Sequence, residues 1–421
     1  MTRQIMVLDG DDPTIAVPAR PLWRNRDFVL LWSGQTVSTL GTSVSLLALP
    51  LLALALTRSP AQAGFLAAVQ SLPYLVFSLP AGALIDRWDR KRVMIRCDAA
   101  RFIVYGSVPL AYALGHLTIA QLYLVALVGG TAFVFFNIAE VASLPRVVPE
   151  ARLAQANAIN AAAESSAQLV GPGLSGFIIS LARTTASGAS VAYLADSVSY
   201  LASVVSLFFI ATPFQHERPA AQIHSLHAEI AEGIRFLWRR RPLRIVSLLT
   251  LCLNICFSPA YLAVIVLARG PLHADARTIG VIFSLGSIGG VVGSLIAPLL
   301  KTRLRFGQII VGPAALQALA LPVLAAAVSP LMLVIGEAVL TMMVPIYNVA
   351  VISYRLALTP DALQGRVNSV ARLLAFASIP LGTAVGGVLL ASIGPRVELW
   401  AATIGMGLTV LMVGLSEVRR A

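Results

Sequence analysis

Stretches of about twenty apolar residues recur from one end of this chain to the other, separated by short runs of polar, glycine or proline residues. A helix of about 20 residues crosses a lipid core roughly 30 Å thick. Within lipid, only helices and closed barrels satisfy their own backbone hydrogen bonds. Twelve such spans are expected, over residues 28–56, 60–85, 93–115, 118–143, 152–182, 188–211, 243–268, 277–300, 307–328, 331–355, 366–391 and 397–417. Composition agrees: only 12% of residues are charged, against roughly 25% in a soluble domain. The mean hydropathy of +0.83 leaves no polar surface for a soluble fold. The expected fold class is an all-α membrane protein of twelve transmembrane helices.

Charge orients the spans. When alternate connections are assigned to opposite faces, only Arg58, Arg183, Arg269, Arg277 and Arg396 of the 31 Lys and Arg residues fall opposite the termini. Cytoplasmic loops carry the excess of Lys and Arg, so both termini are expected in the cytoplasm, in a bacterial inner membrane. The net charge of +12 is thereby absorbed by topology. Its spread over many segments, without a basic face, argues against nucleic acid as a partner. Residues 1–26 hold Asp9, Asp11, Asp12, Pro13, Pro18 and Pro21 and no apolar core, and are expected to form a disordered cytoplasmic tail without a cleavable signal. Cys97, Cys252 and Cys256 have no neighbouring set of metal ligands and read as packing residues, and no metal or cofactor is expected.

The chain also repeats itself. At one constant offset Asn137 pairs with Asn348, Ala139 with Ala350, Pro149 with Pro360, Glu150 with Asp361 and Asn157 with Asn368. Gly171 pairs with Gly382 and Gly176 with Gly387, and upstream Gly82 pairs with Gly293 and Arg92 with Arg303. A repeat unit with an even number of spans inserts twice in the same orientation, which places a site between the halves near the bilayer midplane. The expected organisation is a six-helix bundle over 27–211, a cytoplasmic linker over 212–242 and a second bundle over 243–421. In the linker, Leu226, Ile230, Ile234 and Leu237 share one helical face. An amphipathic helix lying on the membrane surface is favoured over a partner-binding helix.

After span 2 comes Gly82-Ala83-Leu84-Ile85-Asp86-Arg87-Trp88-Asp89-Arg90-Lys91-Arg92. This resembles the signature loop between helices 2 and 3 of the major facilitator superfamily: a Gly, an Asp-Arg pair and a basic cluster. Gly82 permits close helix approach, and the cluster holds the loop inside. Asp86, by analogy with the family loop, is expected to meet Arg146 or the start of span 11 near Arg366. Asp89 stands where the family usually has Gly, so the turn is expected to differ. The second copy is degraded, with Ala297 at the Asp position and Lys301, Arg303 and Arg305 retained.

The segments Leu144-Pro145-Arg146-Val147-Val148-Pro149-Glu150 and Tyr193-Leu194-Ala195-Asp196-Ser197-Val198-Ser199-Tyr200 are similar to the drug and siderophore exporter branch, which includes macrolide-efflux and enterobactin-exporter proteins. The resemblance covers about residues 20–415. In span 5, Gly171-Pro172-Gly173-Leu174-Ser175-Gly176 resembles the antiporter motif of helix 5, with Phe177 in place of a terminal Gly. Pro removes a backbone hydrogen bond and Gly permits close packing, which gives either a bendable gate or a packing kink. The helix-4 motif that turns an Arg to the cavity is absent, since Tyr123 to Glu140 contains none.

Four acids within the spans are singled out: Glu140, Glu164, Asp196 and Glu337. An acid at membrane depth is costly and is a functional candidate for proton coupling or substrate contact, although a structural hydrogen bond is the rival role. Glu164 and Asp196 are expected nearest mid-depth. With no Lys or Arg expected at that depth, protonation neutralises them more easily than ion pairing. No Gly-Lys-Ser/Thr P-loop, His-Glu-x-x-His or Gly-x-Ser-x-Gly motif is present, so the chain is expected not to be an enzyme. A ~100-fold uphill gradient of a neutral solute costs roughly 2.7 kcal/mol. One proton crossing ~100 mV yields about 2.3 kcal/mol. The expected function is secondary, proton-coupled export of amphipathic small molecules by a monomer in the lipid bilayer, with direction implied by the resemblance alone. A same-fold importer of siderophores, a lysolipid flippase and a non-transporting sensor stay open.

Overall fold

The computed structural model describes residues 21–215 and 226–415, and among these the chain is fourteen α-helices joined by short turns, with no strand. The first half comprises α1 (Arg26–Thr57), α2 (Pro60–Arg87), α3 (Arg90–Ala113), α4 (Ile119–Val147), α5 (Leu153–Ser180) and α6 (Thr185–Phe209). A linker helix, α7 (Leu226–Arg239), precedes the second half. That half comprises α8 (Arg241–Phe257) and α9 (Ala260–Arg269), α10 (Ala276–Arg303), α11 (Phe306–Ala325), α12 (Pro330–Leu358), α13 (Asp361–Ile393) and α14 (Pro395–Gly414). Helices α8 and α9 are one span broken at Ser258-Pro259, so the described residues hold twelve long helical segments, consistent with the twelve spans expected.

Ten spans are long and apolar enough to be recognised by hydropathy alone. The other two, α3 and α5, fall short for a reason that bears on function. Helix α3 carries Arg96, Asp98 and Arg101 beyond its basic first turn, and α5 carries Gln155, Asn157, Asn160, Glu164 and Gln168. Helix α3 packs against α4 and α6, which bury Asp98 and Arg101, whereas α5 packs against α1 and α10 and leaves Gln155, Asn157, Glu164 and Gln168 exposed.

Side-chain caps start several of the helices. Asn25 accepts from the amides of Asp27 and Phe28 at 3.1 and 3.2 Å, and Thr184 with Ser187 forms a capping box on α6. Thr118 caps α4 through Gln121 N.

Three sequence expectations change here. Of the expected disordered tail, residues 1–20 lie outside the described residues. Leu22–Arg24 forms a 3-10 turn with Leu22 buried beside Phe28 and Leu31, because that one apolar side chain completes the core at the termini-bearing end of the first half. The linker is also docked. Ala211 and Thr212 donate to the Asp27 carboxylate, and Phe214 is buried. Helix α7 buries Gly233 and Leu237 against Val367 and Val370 of α13, with Glu232 paired to Arg366. Ile234 is exposed, so the docking face is set by Gly233 and Leu237, four residues apart; the side chains of Leu226 and Ile230 lie outside the described residues. Finally, the repeat slips. Helices α2 and α10 end at Arg87 and Arg303, whereas the sequence register pairs Arg92 with Arg303. Helix α11 has 20 residues against 24 in α3, so the constant offset holds only from α4 and α12 onward. By helix ends, Thr302, not Ala297, occupies the position of Asp86.

Candidate functional site

The two halves meet along two antiparallel helix pairs, α2 with α13 and α5 with α10. Both contacts are made by glycine on the side opposite the termini. A Cβ on Gly64 would stand 2.6 Å from Gly387 Cα, and a Cβ on Gly176 would stand 3.0 Å from Gly280 Cα. Gly176 and Gly387 are partners in the internal repeat, and each is a seam residue of its own half. Their earlier partners, Gly171 and Gly382, pack within each half, against Ser43 of α1 and against Ser258 at the α8–α9 break.

The antiporter-like segment sits at this seam. Pro172 has no amide hydrogen, and its ring disturbs the turn before it. The amide of Gly173 donates to Ser284 Oγ of α10 at 2.7 Å, a hydrogen bond from one half to the other. Arg269 Nη2 adds a second, to Thr185 Oγ1 at 3.1 Å. Outside the spans, Asp275 caps α10 by accepting from Thr278, and that hydrogen bond holds its carboxyl below the ordinary range.

On the termini-bearing side the halves part. Tyr74 stacks on Phe376 at 4.2 Å, and Arg372 donates to Tyr74 Oη at 2.7 Å. Beyond them Gly82 and Gly365 face open space, with no atom within 4 Å of a Cβ at either position. The expected close approach at Gly82 is therefore not made in this conformation. A small cavity of about 70 Å³ lies between the halves, lined by Leu46, Pro50, Gln70, Tyr261 and Thr383 among others.

The signature loop is a cap for neighbouring helices. Asp86 pairs with Arg90 at 3.2 Å and is largely exposed, while Arg366 is held by Glu232. Neither expected partner meets Asp86: the termini-side gap separates it from Arg366 on α13, and in its own half Asp86 pairs with Arg90 and not with Arg146 of α4. Arg90 is buried and donates to Ala142 O of α4 at 2.7 Å; Lys91 donates to Ile210 O at 2.7 Å and Phe208 O at 3.3 Å, at the end of α6. Both cations meet carbonyls at helix C-termini, where the dipole favours positive charge. Asp89 accounts for the departure from the family pattern: it is the N-cap of α3, accepting from Arg92 N at 2.9 Å. Arg92 adds only an exposed contact to Asp89, and Arg87 is exposed.

The four acids separate. Asp196 is fully buried on α6, roughly 16 Å along the helix. Ser199 Oγ donates to its Oδ1 at 3.2 Å, and Oδ2 has no hydrogen-bond partner. Gly41 of α1 lies against it. Glu140 of α4 is half-buried and Glu164 of α5 is exposed, near enough for their charges to interact; Gln168 donates to Glu164 at 3.4 Å. Glu337 is buried in the other half, its Cβ against Gly286 and its carboxyl near Tyr261. Glu140 lies between Glu164 and the buried charges of α3, Asp196 is buried on α6, and Glu337 stands apart in the other half.

One expectation about these acids is overturned. A basic residue does lie at their depth: Arg101 of α3, only 4% exposed, paired with the fully buried Asp98 at 3.3 Å. Its guanidinium sits 5.1, 5.3 and 5.7 Å from the ring centroids of Tyr200, Phe136 and Phe133. Both residues close the basic run after span 2, which hid them; their spacing of three, followed by Phe102-Ile103-Val104-Tyr105, is the signal of a self-compensated pair inside a span. Glu398, buried in the first turn of α14, was likewise missed.

The profile of the Major Facilitator Superfamily matches residues 31–383. The chain belongs to that superfamily. It is 28% identical over 412 residues to the multidrug efflux pump Tap of Mycobacterium tuberculosis, covering 94% of this chain and 93% of Tap. It is 30% identical to the uncharacterized transporter YfiS of Bacillus subtilis over 236 residues, 55% of this chain and about half (54%) of YfiS. Macrolide efflux protein A of Streptococcus pyogenes matches at 25% over 154 residues, 37% of this chain and 38% of that protein. Among solved structures, the nucleoside transporter NupG superposes with a TM-score of 0.74 at 12% identity, over 92% of this chain and 98% of NupG. Superfamily membership makes the chain a multi-pass membrane transporter and not an enzyme, and the resemblance to macrolide-efflux proteins read from sequence is matched by these relatives.

Proposed function

We propose that this transporter exports amphipathic small molecules in exchange for protons, as a monomer of the bacterial inner membrane with both termini in the cytoplasm. The observation that carries the reading is Asp196, a carboxylate wholly buried about half-way along a span. A buried carboxylate is tolerated when it is paired or protonated, and a site that gains and loses a proton as its surroundings change is what coupling requires. The seam supports alternating access. Glycine holds the halves together opposite the termini, while the termini side is open, so rocking about the midplane exchanges the two gates. Glu140 and Glu164 supply negative charge on the open side, suited to a cationic amphipath. The printed functions of Tap and of macrolide efflux protein A support export as the direction.

The test is efflux of the lipophilic cation ethidium from loaded cells of an efflux-deficient host. Expression of the chain should speed dye loss at least several-fold, and a protonophore should abolish the gain. A gain that survives the protonophore contradicts proton coupling. Topology is checked in intact cells by labelling Ile230→Cys, which should be unreachable from outside.

A further inference from the structure

The buried charges of the first half do not balance, and their imbalance identifies a site. Asp98 and Asp196 are both fully buried; Arg101 pairs with Asp98 at 3.3 Å and sits 5.1 Å from the ring of Tyr200, one turn from Asp196 on α6. The charge of Arg101 acts on both carboxylates. Asp98 Oδ2, Asp196 Oδ2 and Arg101 Nη2 are buried without a hydrogen-bond partner in good geometry, the Ser203 and Ser45 hydroxyls being the nearby groups for Asp98 and Asp196 respectively. The facing groups from each packed element are known. Helix α1 offers Ser45 and Thr42 and no charge, and α6 offers Ser199, Tyr193, Tyr200 and Ser203. From α3 come Cys97 and Tyr105, and from α4 come Glu140, Phe133 and Phe136, with Glu164 of α5 beyond. No second cation faces the cluster among these groups.

A guanidinium stays protonated in proteins, so it neutralises one carboxylate only. A net buried charge is expensive in a low dielectric, and the remaining carboxylate is neutral when it carries a proton. The two carboxylates therefore share a titration. We infer that Asp98, Arg101 and Asp196 form a single one-proton site, in which Arg101 pairs with whichever carboxylate is ionised and the proton sits on the other. This rests on the reading of Asp196 as the coupling acid and adds two residues to it. Asp98 is the alternate seat of the proton, and Arg101 is the positioning residue that permits only one. Uptake places one proton from water on a carboxylate oxygen, and release returns it to water on the other side; no other bond changes.

Infrared difference spectroscopy of the purified, reconstituted protein counts protonated carboxyls without any substrate. The wild type should show a carboxylic-acid C=O band that titrates with pH. Asp196→Asn should lose one carboxyl's worth of that band, because Asp98 is then left with Arg101 and stays ionised. Asp98→Asn should lose the same amount, because Asp196 then takes Arg101. The double variant Asp98→Asn/Asp196→Asn should lose no more than either single variant. Adding Arg101→Gln to Asp98→Asn should restore the band, since Asp196 again lacks a cation. That charge-balanced variant also keeps the test open if Asp98→Asn alone fails to fold. A band lost in Asp196→Asn but kept in Asp98→Asn would overturn the shared site and leave Asp196 as sole proton carrier. A band unaffected by Asp196→Asn would overturn both the shared site and the coupling role of Asp196.

Discussion

Gly41 of α1 and Asp196 of α6 meet where the two helices cross: a Cβ on Gly41 would stand 2.7 Å from Asp196 Oδ1. Ser199 crowds the same point, so the carboxylate has its place only because α1 presents no side chain there. Gly41→Val should destabilise the protein by about 1–3 kcal/mol through overpacking. It should also abolish uphill efflux even where enough folded protein remains. Thermal unfolding in detergent and dye efflux per folded molecule check the two parts separately.

Asp86→Asn should impair transport with little loss of expression, because Asp86 is exposed and among the described residues its ion pair is to Arg90, one turn away. Arg90→Ala should act oppositely. It removes a buried cation bonded to Ala142 O, and charged hydrogen bonds contribute about 1.5–3 kcal/mol. Loss of folded protein on a sizing column is the expected result for Arg90→Ala and not for Asp86→Asn. Normal efflux in Asp86→Asn would reduce the loop to a helix cap.

Register along the α2–α13 seam foretells the closed gate. Gly64 faces Gly387 and Tyr74 faces Phe376, which continues antiparallel to set Gly82 level with Ser369 and Asp86 level with Gly365. Gly82 meets nothing here, so its close approach is expected in the alternate conformation. A double variant Gly82→Cys/Ser369→Cys should crosslink under oxidation and stop efflux, whereas each single variant should not crosslink. Failure to crosslink under turnover would refute this register.

How much of this was legible in the sequence follows from what each signal measures. Hydropathy and period locate the spans because lipid demands apolar helices, and the late repeat from Asn137 onward contains two of the four seam glycines, Gly176 and Gly387. The same reading hid Asp98 and Arg101: a pair three residues apart cancels its own charge, and proximity to a basic loop made Arg101 look like part of it. The pairing of Arg366 with Glu232 was not legible because it depends on where α7 docks, which Gly233 and Leu237 decide through packing on α13. Asp89 was readable as a departure from the family loop, and its role as an N-cap needed the backbone.

The central claim is that buried acids couple substrate export to protons, and uphill transport by amide variants in proteoliposomes with an imposed pH gradient tests it most directly. An amide has the shape of the protonated acid and does not titrate. Asp196→Asn or Glu164→Gln, at least one of the two, should abolish uphill ethidium transport while leaving dye binding measurable, and Glu337→Gln should have the milder effect. The structure ranks Asp196 first, since it is buried with Arg101 nearby while Glu164 is exposed on the open side. Uphill transport at the wild-type rate in both Asp196→Asn and Glu164→Gln would contradict the account.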